Sequence, residues 1–186
     1  PKALDIAVIL SAIHSLGTEA SHSPADLRMQ ATLARLDALF DAAYPINHGR
    51  AAGRGTAMGR YAGDVYCSGG AYYFSTLGAA EFCFRAAALG GDACHGNQWM
   101  ERGDAYLASG LDLFCRAARG ALDEAGLTGA DVDVIVTVST TGIATPSLEA
   151  RALTLMGFRT DVARVPVFGL GCAGGATGLA LASRLA

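Results

Sequence analysis

An α/β fold, with helices and strands alternating along the chain, is predicted for these 186 residues. Three features carry the prediction. Leu107, Leu111, Phe114, Ala118 and Leu122 recur at steps of four, three, four and four, which is one face of a long helix. Val134-Ile-Val-Thr-Val138 is a near-continuous β-branched run, of the kind that belongs to parallel strands covered on both faces. A second apolar run, 162–168, leads into Gly169-Leu-Gly171-Cys172-Ala-Gly174-Gly175 and then into a helix of small residues. Helix, strand, helix, strand, glycine turn, helix is an alternating layer pattern.

The remaining elements follow from local chemistry. Residues 4–13 are apolar and partly β-branched, and they read as a buried strand. Ser23-Pro24-Ala25-Asp26 has the chemistry of a helix start: a capping hydroxyl, a proline at the first helical position and an early acid. Met29, Leu33, Leu36 and Phe40 continue it at helical spacing, so 24–44 is predicted as an amphipathic helix whose stripe faces the core. The glycine-rich stretch 45–70 carries Arg50, Arg54 and Arg60. A solvated connection is favoured there over a phosphate-facing loop, because glycine clusters between periodic segments mark loops. Residues 71–89 read as a helix broken by 90–96, and Gly126 ends the long helix in the place glycine favours. Thr145 and Pro146 are the expected cap and first residue of a helix along Leu148, Ala152 and Leu155, ended by Gly157.

Composition bounds the function. Apolar residues make up 52% and charged ones 17%, so the chain can build a packed core and disorder is not suggested. The net charge of -3, with no Lys/Arg cluster, gives no electrostatic ground for a nucleic-acid partner. No apolar run approaches the length of a membrane span, and a reduced cytoplasm is the expected setting. Cysteines at 67, 83, 94, 115 and 172 are odd in number and irregular in spacing, which fits neither a disulfide framework nor a zinc motif. His14, His22, His48 and His95 are isolated, and His95 beside Cys94 is too little for a metal site.

Chemistry concentrates at Cys172. A cysteine on a tight strand-to-helix turn meets unpaired backbone N–H groups and the positive end of a helix dipole, which favour a thiolate nucleophile. The flanking glycines leave room for a substrate against the backbone. Two other readings stay open at this level. The cysteine could be a small apolar residue packed in a turn. Gly169-x-Gly171-x-x-Gly174 also has the form of a dinucleotide fingerprint, whose confirming acidic residue, about 20 positions on, would fall beyond Ala186. Groups in such sheets gather beyond the carboxyl ends of strands, where both Thr140 and Cys172 fall.

Residues 136–186 carry Ser139-Thr-Thr-Gly142, Pro146-Ser-Leu-Glu-Ala-Arg151, a Met156-Gly-Phe-Arg segment with Arg164-Val-Pro166, and the Gly-Leu-Gly-Cys-Ala-Gly-Gly elbow. In that order these motifs closely resemble type III polyketide synthases, the chalcone and stilbene synthase family, in their bacterial form. The match covers 98–186; 45–97 diverges and lacks the expected arginine-bearing pattern.

The resemblance implies the N-terminal half of a thiolase-like fold, a mixed sheet with covering helices, over 1–186. It implies Cys172 as the nucleophile that takes an acyl group, Thr140 lining the active cavity and Thr145 reaching toward a partner subunit. Acyl-CoA and malonyl-CoA are the implied substrates and a homodimer the implied assembly, with no metal, flavin or nicotinamide. The family's catalytic His and Asn lie in the second half, and no histidine here matches by motif. A fragment without condensing activity is therefore expected. Rival readings are a ketoacyl synthase III-like condensing enzyme, a non-catalytic half-subunit and the nucleotide-binding module.

Overall fold

A computed structural model describes residues 4–15, 21–66, 69–90, 93–139 and 145–186. Instead of one layered unit over 1–186, the chain divides into two compact units, Pro1–Leu113 and Phe114–Ala186.

The first unit is helical. It contains α1 (Ala7–Ala12), α2 (Leu27–Ala43), α3 (Tyr73–Leu89) and the leading part of α4 (Ala93–Ala125). The strand expected over 4–13 is corrected to a helix. Ile6, Ile9, Ala12 and Ile13 are buried while Val8 and Ser11 are exposed, a period near 3.6 rather than 2. The spacing of the apolar residues outweighs the strand preference of their β-branched side chains. α2 begins later than expected, because Asp26 rather than Ser23 is the N-cap and accepts the Arg28 amide at 2.9 Å. A carboxylate at that place satisfies an orphan donor and complements the helix dipole. Leu33, Leu36 and Phe40 are completely buried, as the stripe requires.

Residues 45–66 run mainly as loop, with a short 3-10 turn at Pro45–Asn47 and an isolated antiparallel bridge from Tyr61 to Asp5. Buried Asn47 pins this loop: its side-chain amide donates to the Phe40 and Ala57 carbonyls, and its oxygen accepts the Ala57 amide. α3 and α4 are parted by residues 90–92 only, so Gly96, expected in the break, lies inside α4.

α4 is 33 residues long, about 50 Å at the rise of an α-helix. Leu107, Leu111, Phe114, Ala118 and Leu122 are all half-buried, as a single face should be. Within the first unit, however, the deepest contacts are made by residues that an apolar pattern does not count. Tyr106 is 1% exposed. A Cβ on Gly103 would come within 2.5 Å of the Phe84 ring, and one on Gly110 within 2.6 Å of Leu77. The Gly55 amide donates to the Ala105 carbonyl at 2.9 Å, and Ser109 Oγ donates to the Gly55 carbonyl at 2.7 Å.

The second unit holds β1 (Val134–Ser139), α5 (Leu148–Met156), β2 (Ala163–Phe168) and α6 (Gly174–Leu185). β1 and β2 pair in parallel from Val134↔Ala163 to Ser139↔Phe168, joined by a crossover that contains α5. This α/β layering is compatible with the expected thiolase-like fold. Glycine ends two helices by the same device. Gly126 and Gly157 are left-handed (φ 69° and 67°), and Leu127 and Phe158 reach back to the carbonyls of Leu122 and Leu153. The start of α5 falls at N-cap Ser147, two residues after the expected Thr145, and the Ser147 carbonyl accepts the first helical bond from Arg151.

Candidate functional site

The glycine elbow is built from β2 outward. Gly169 leaves the strand in the left-handed region (φ 75°) and donates its N–H to the Ser139 carbonyl at 3.1 Å, tying the turn to the end of β1. Gly171 is also left-handed (φ 53°), which a side chain would resist. A 3-10 turn over Gly171–Ala173 then runs straight into α6. A Cβ on Gly178 would lie 2.6 Å from a Val138 methyl, so this glycine lets α6 lie close against β1. Cys172 sits in the 3-10 turn, at the carboxyl side of the parallel strands, and is exposed. A solvent-reachable thiol at this position can meet an acyl electrophile.

Of the other expected site residues, Thr140 lies outside the described residues. Thr145 is described and exposed, six residues beyond the end of β1. The structure does not bring a histidine to the elbow's own unit, since His14, His22, His48 and His95 all belong to Pro1–Leu113. The remaining described cysteines are the exposed Cys94 and the buried Cys83 and Cys115. Burial pushes the Cys83 thiol up to about 12.

The three arginines of the glycine-rich loop are all engaged by carboxylates, which favours the solvated-connection reading over a phosphate loop. Arg50 pairs with Asp41 and also donates to the Asn47 and Arg54 carbonyls. Arg54 pairs with Asp112 at 2.6 Å. Arg60 makes a two-pronged pair with Asp64 at 2.5 and 2.6 Å.

This last pair is a second site that sequence reasoning missed. The Arg60 guanidinium stands 4.7 Å from the Tyr66 ring centre, 5.4 Å from Tyr61 and 5.8 Å from Tyr72. Tyr72 hydroxyl donates to the Tyr66 carbonyl at 2.6 Å, closing the ring of aromatics. The Asp64 side chain is fully covered, and the Arg60 hydrogen bonds hold its carboxyl down at about 2. The available signal was an Arg–Asp pair four apart with tyrosines interleaved.

Among the described residues no three or more His, Cys, Asp or Glu cluster to hold a metal ion, and no helix is long and apolar enough to cross a membrane.

Comparison with known proteins separates the chain by sequence as well. Residues 95–186 match the chalcone and stilbene synthases, N-terminal domain. Residues 1–98 match the glycosyl hydrolases family 15. The 1,3,6,8-tetrahydroxynaphthalene synthase of Streptomyces peucetius subsp. caesius is 61% identical over 75 residues, 40% of this chain and 20% of that protein. A putative chalcone synthase of Bacillus subtilis is 36% identical over 93 residues, 47% of this chain and 26% of that one. Glucoamylase-1 of Arthroderma benhamiae is 35% identical over 88 residues, 45% of this chain and 14% of that one. The chain therefore spans about a quarter or less of the length of each relative. Two families meet in one polypeptide: through residues 95–186 the chain belongs to the type III polyketide synthases, as the N-terminal part of one, and through residues 1–98 to the glycosyl hydrolases family 15.

Proposed function

We propose that the second unit is the acyl-carrying portion of a type III polyketide synthase with a thiolase-like fold. The observation that carries this reading is the exposed Cys172 in the glycine turn that opens α6. The Cys172 thiolate attacks the carbonyl of an acyl-CoA, the carbon–sulfur bond to coenzyme A breaks, and the departing coenzyme A thiolate takes a proton. The acyl group then rests on Cys172 as a thioester. In an intact synthase, malonyl-CoA loses CO2, and the resulting carbanion attacks that thioester, forming a carbon–carbon bond and releasing the cysteine. A tetrahydroxynaphthalene synthase among the relatives points to polyhydroxylated aromatic products.

The condensing step needs groups that stabilise an enolate. No histidine lies in the unit that carries Cys172, so this chain is proposed to acylate without condensing, in a cytoplasmic setting and, in the intact enzyme, as a homodimer. Incubation with hexanoyl-CoA followed by intact mass and peptide mapping tests the first step. An acyl adduct on Cys172, lost in Cys172→Ser, is expected. Radiolabelled malonyl-CoA tests the second: extended product from the wild-type chain would refute the inactivity.

A second reading applies to the first unit, carried by the Arg60–Asp64 pair ringed by Tyr61, Tyr66 and Tyr72. Aromatic faces beside a charged, forked hydrogen-bonding pair suit a sugar ring, and a glucoamylase is among the relatives. Asp64 is held ionised by Arg60 and fully covered, so it supplies no proton donor, and glycoside hydrolysis needs a protonated acid as well as a carboxylate. The Tyr61 and Tyr66 faces and the Arg60 guanidinium are the groups left to meet a sugar. Saccharide contact without hydrolysis is the function proposed there. Calorimetric titration with maltose, repeated on Arg60→Ala, tests it.

A further inference from the structure

We propose that Glu149 is a positioning residue for Cys172, an inference that rests on the acyl-transfer reading of the elbow. Glu149, in the first turn of α5, is 1% exposed. Its carboxylate is held from two sides. Thr137 Oγ1, on β1, donates to Oε2 at 2.7 Å, and Ser147 Oγ, at the N-cap of α5, donates to Oε1. Ser147 makes no capping bond to its own helix, so the hydroxyl that would ordinarily cap α5 is committed to Glu149. A buried carboxylate is expensive unless hydrogen-bonded, and leaving one of its partners unmatched costs more than replacing the whole group by an apolar one. The arrangement therefore fixes a distance and a register between β1 and the start of α5, which plain apolar packing would leave looser.

What it fixes leads to the nucleophile. Side chains alternate along a strand. Thr137 faces α5, whereas Val136 and Val138 face α6, where Gly178 lies against both valines. Two residues beyond Thr137, the Ser139 carbonyl accepts the Gly169 N–H that opens the elbow. A shift of β1 toward or away from α5 moves both the seat of α6 and the anchor of the turn, and Cys172 hangs between them. Glu149 touches no reacting atom; it acts through β1.

The test uses the full chain, as wild type, Glu149→Gln, Thr137→Val and Ser147→Ala. The readouts are the iodoacetamide alkylation rate of Cys172 by peptide mass spectrometry, with exposed Cys94 as the internal reference, and the acylation rate from hexanoyl-CoA. Far-UV circular dichroism and hydrogen exchange at the β1 amides monitor the fold of the second unit. Expected is at least a fivefold change in the Cys172-to-Cys94 ratio for Glu149→Gln and Thr137→Val, at unchanged dichroism, and a smaller change for Ser147→Ala. A ratio within twofold of wild type in the first two variants would overturn the proposal. If Glu149→Gln does not fold, Thr137→Val, which exchanges a hydroxyl for a methyl of similar size, decides. Absence of an acyl adduct on wild-type Cys172 would sink the acyl-transfer reading instead, and the alkylation ratios would still decide the positioning role.

Discussion

The two units solve the burial problem differently. The first encloses Leu33, Leu36, Phe40, Met58, Phe82 and Tyr106 almost completely, in one cluster gathered from four helices and a loop. The second has a strand, β1, that is half-buried at every position, and a strand, β2, exposed at three of its six. Three or four helices can close a core among themselves, because each buries one stripe and satisfies its own backbone. A parallel pair cannot, because parallel strands depend on cover over both faces and neighbours at both edges. A helical piece of a larger fold thus closes on itself more readily than a sheet piece does.

The boundary between them sharpens the point. By sequence, residues 99–113 belong to the synthase family; by packing, they belong to the first unit. There Trp99 meets the Phe82 ring edge-on, Arg102 pairs with Asp37, and Arg54 pairs with Asp112. The first 98 residues complete their core with a helix matched to another family.

If the first unit owes its order to that core, Phe40→Ala should cost about 3–5 kcal/mol, the range for deleting a buried aromatic. Urea unfolding followed by Trp99 fluorescence would register it; a loss under 1 kcal/mol would show that the core is not what holds the unit. In the second unit, Gly178→Val forces a side chain against Val138 and should cost about 1–3 kcal/mol by overpacking. Faster hydrogen exchange at the β1 amides is the expected signature, with the amides of α2 unaffected.

A smaller effect should follow pH. Asp64 has its folded carboxyl depressed to about 2, below the ordinary carboxylate value near 4. A group depressed on folding stabilises above its unfolded value, and that contribution is lost as pH falls through the folded value. The melting temperature should therefore fall between about pH 4 and pH 2, less steeply in Asp64→Asn. The smallest effect belongs to the half-exposed pair Arg85–Glu81, one helical turn apart on α3. Glu81→Ala should change stability by about 0.3–0.5 kcal/mol, and less in high salt.

Local chemistry was legible where it acted through neighbours in the chain. Gly126 and Gly157 end their helices as expected, the run 134–138 is a strand, and 162–168 enters a glycine turn that becomes a helix. The stripe of Met29, Leu33, Leu36 and Phe40 is buried as its spacing demanded. Over 4–13 the β-branched residues favour a strand, but Ile6, Ile9 and Ile13 carry the helical spacing, and burial of that face makes the segment a helix. Tyr106 with Gly103 and Gly110 escaped notice because a glycine's contribution to a face appears only when another element presses on it.

By itself, then, the sequence determined which segments are helix, strand or turn over most of the second unit, and which cysteine stands at a strand-to-helix turn. Those properties follow from backbone preferences and spacing within a few turns. Only the tertiary structure decided that Arg60 spends its charge on Asp64 among three tyrosines, that Glu149 is buried between Thr137 and Ser147, and that α4 divides its length between two units. Each of these depends on groups distant in the chain or on which faces are covered, and burial turns such meetings into energies that no local pattern records.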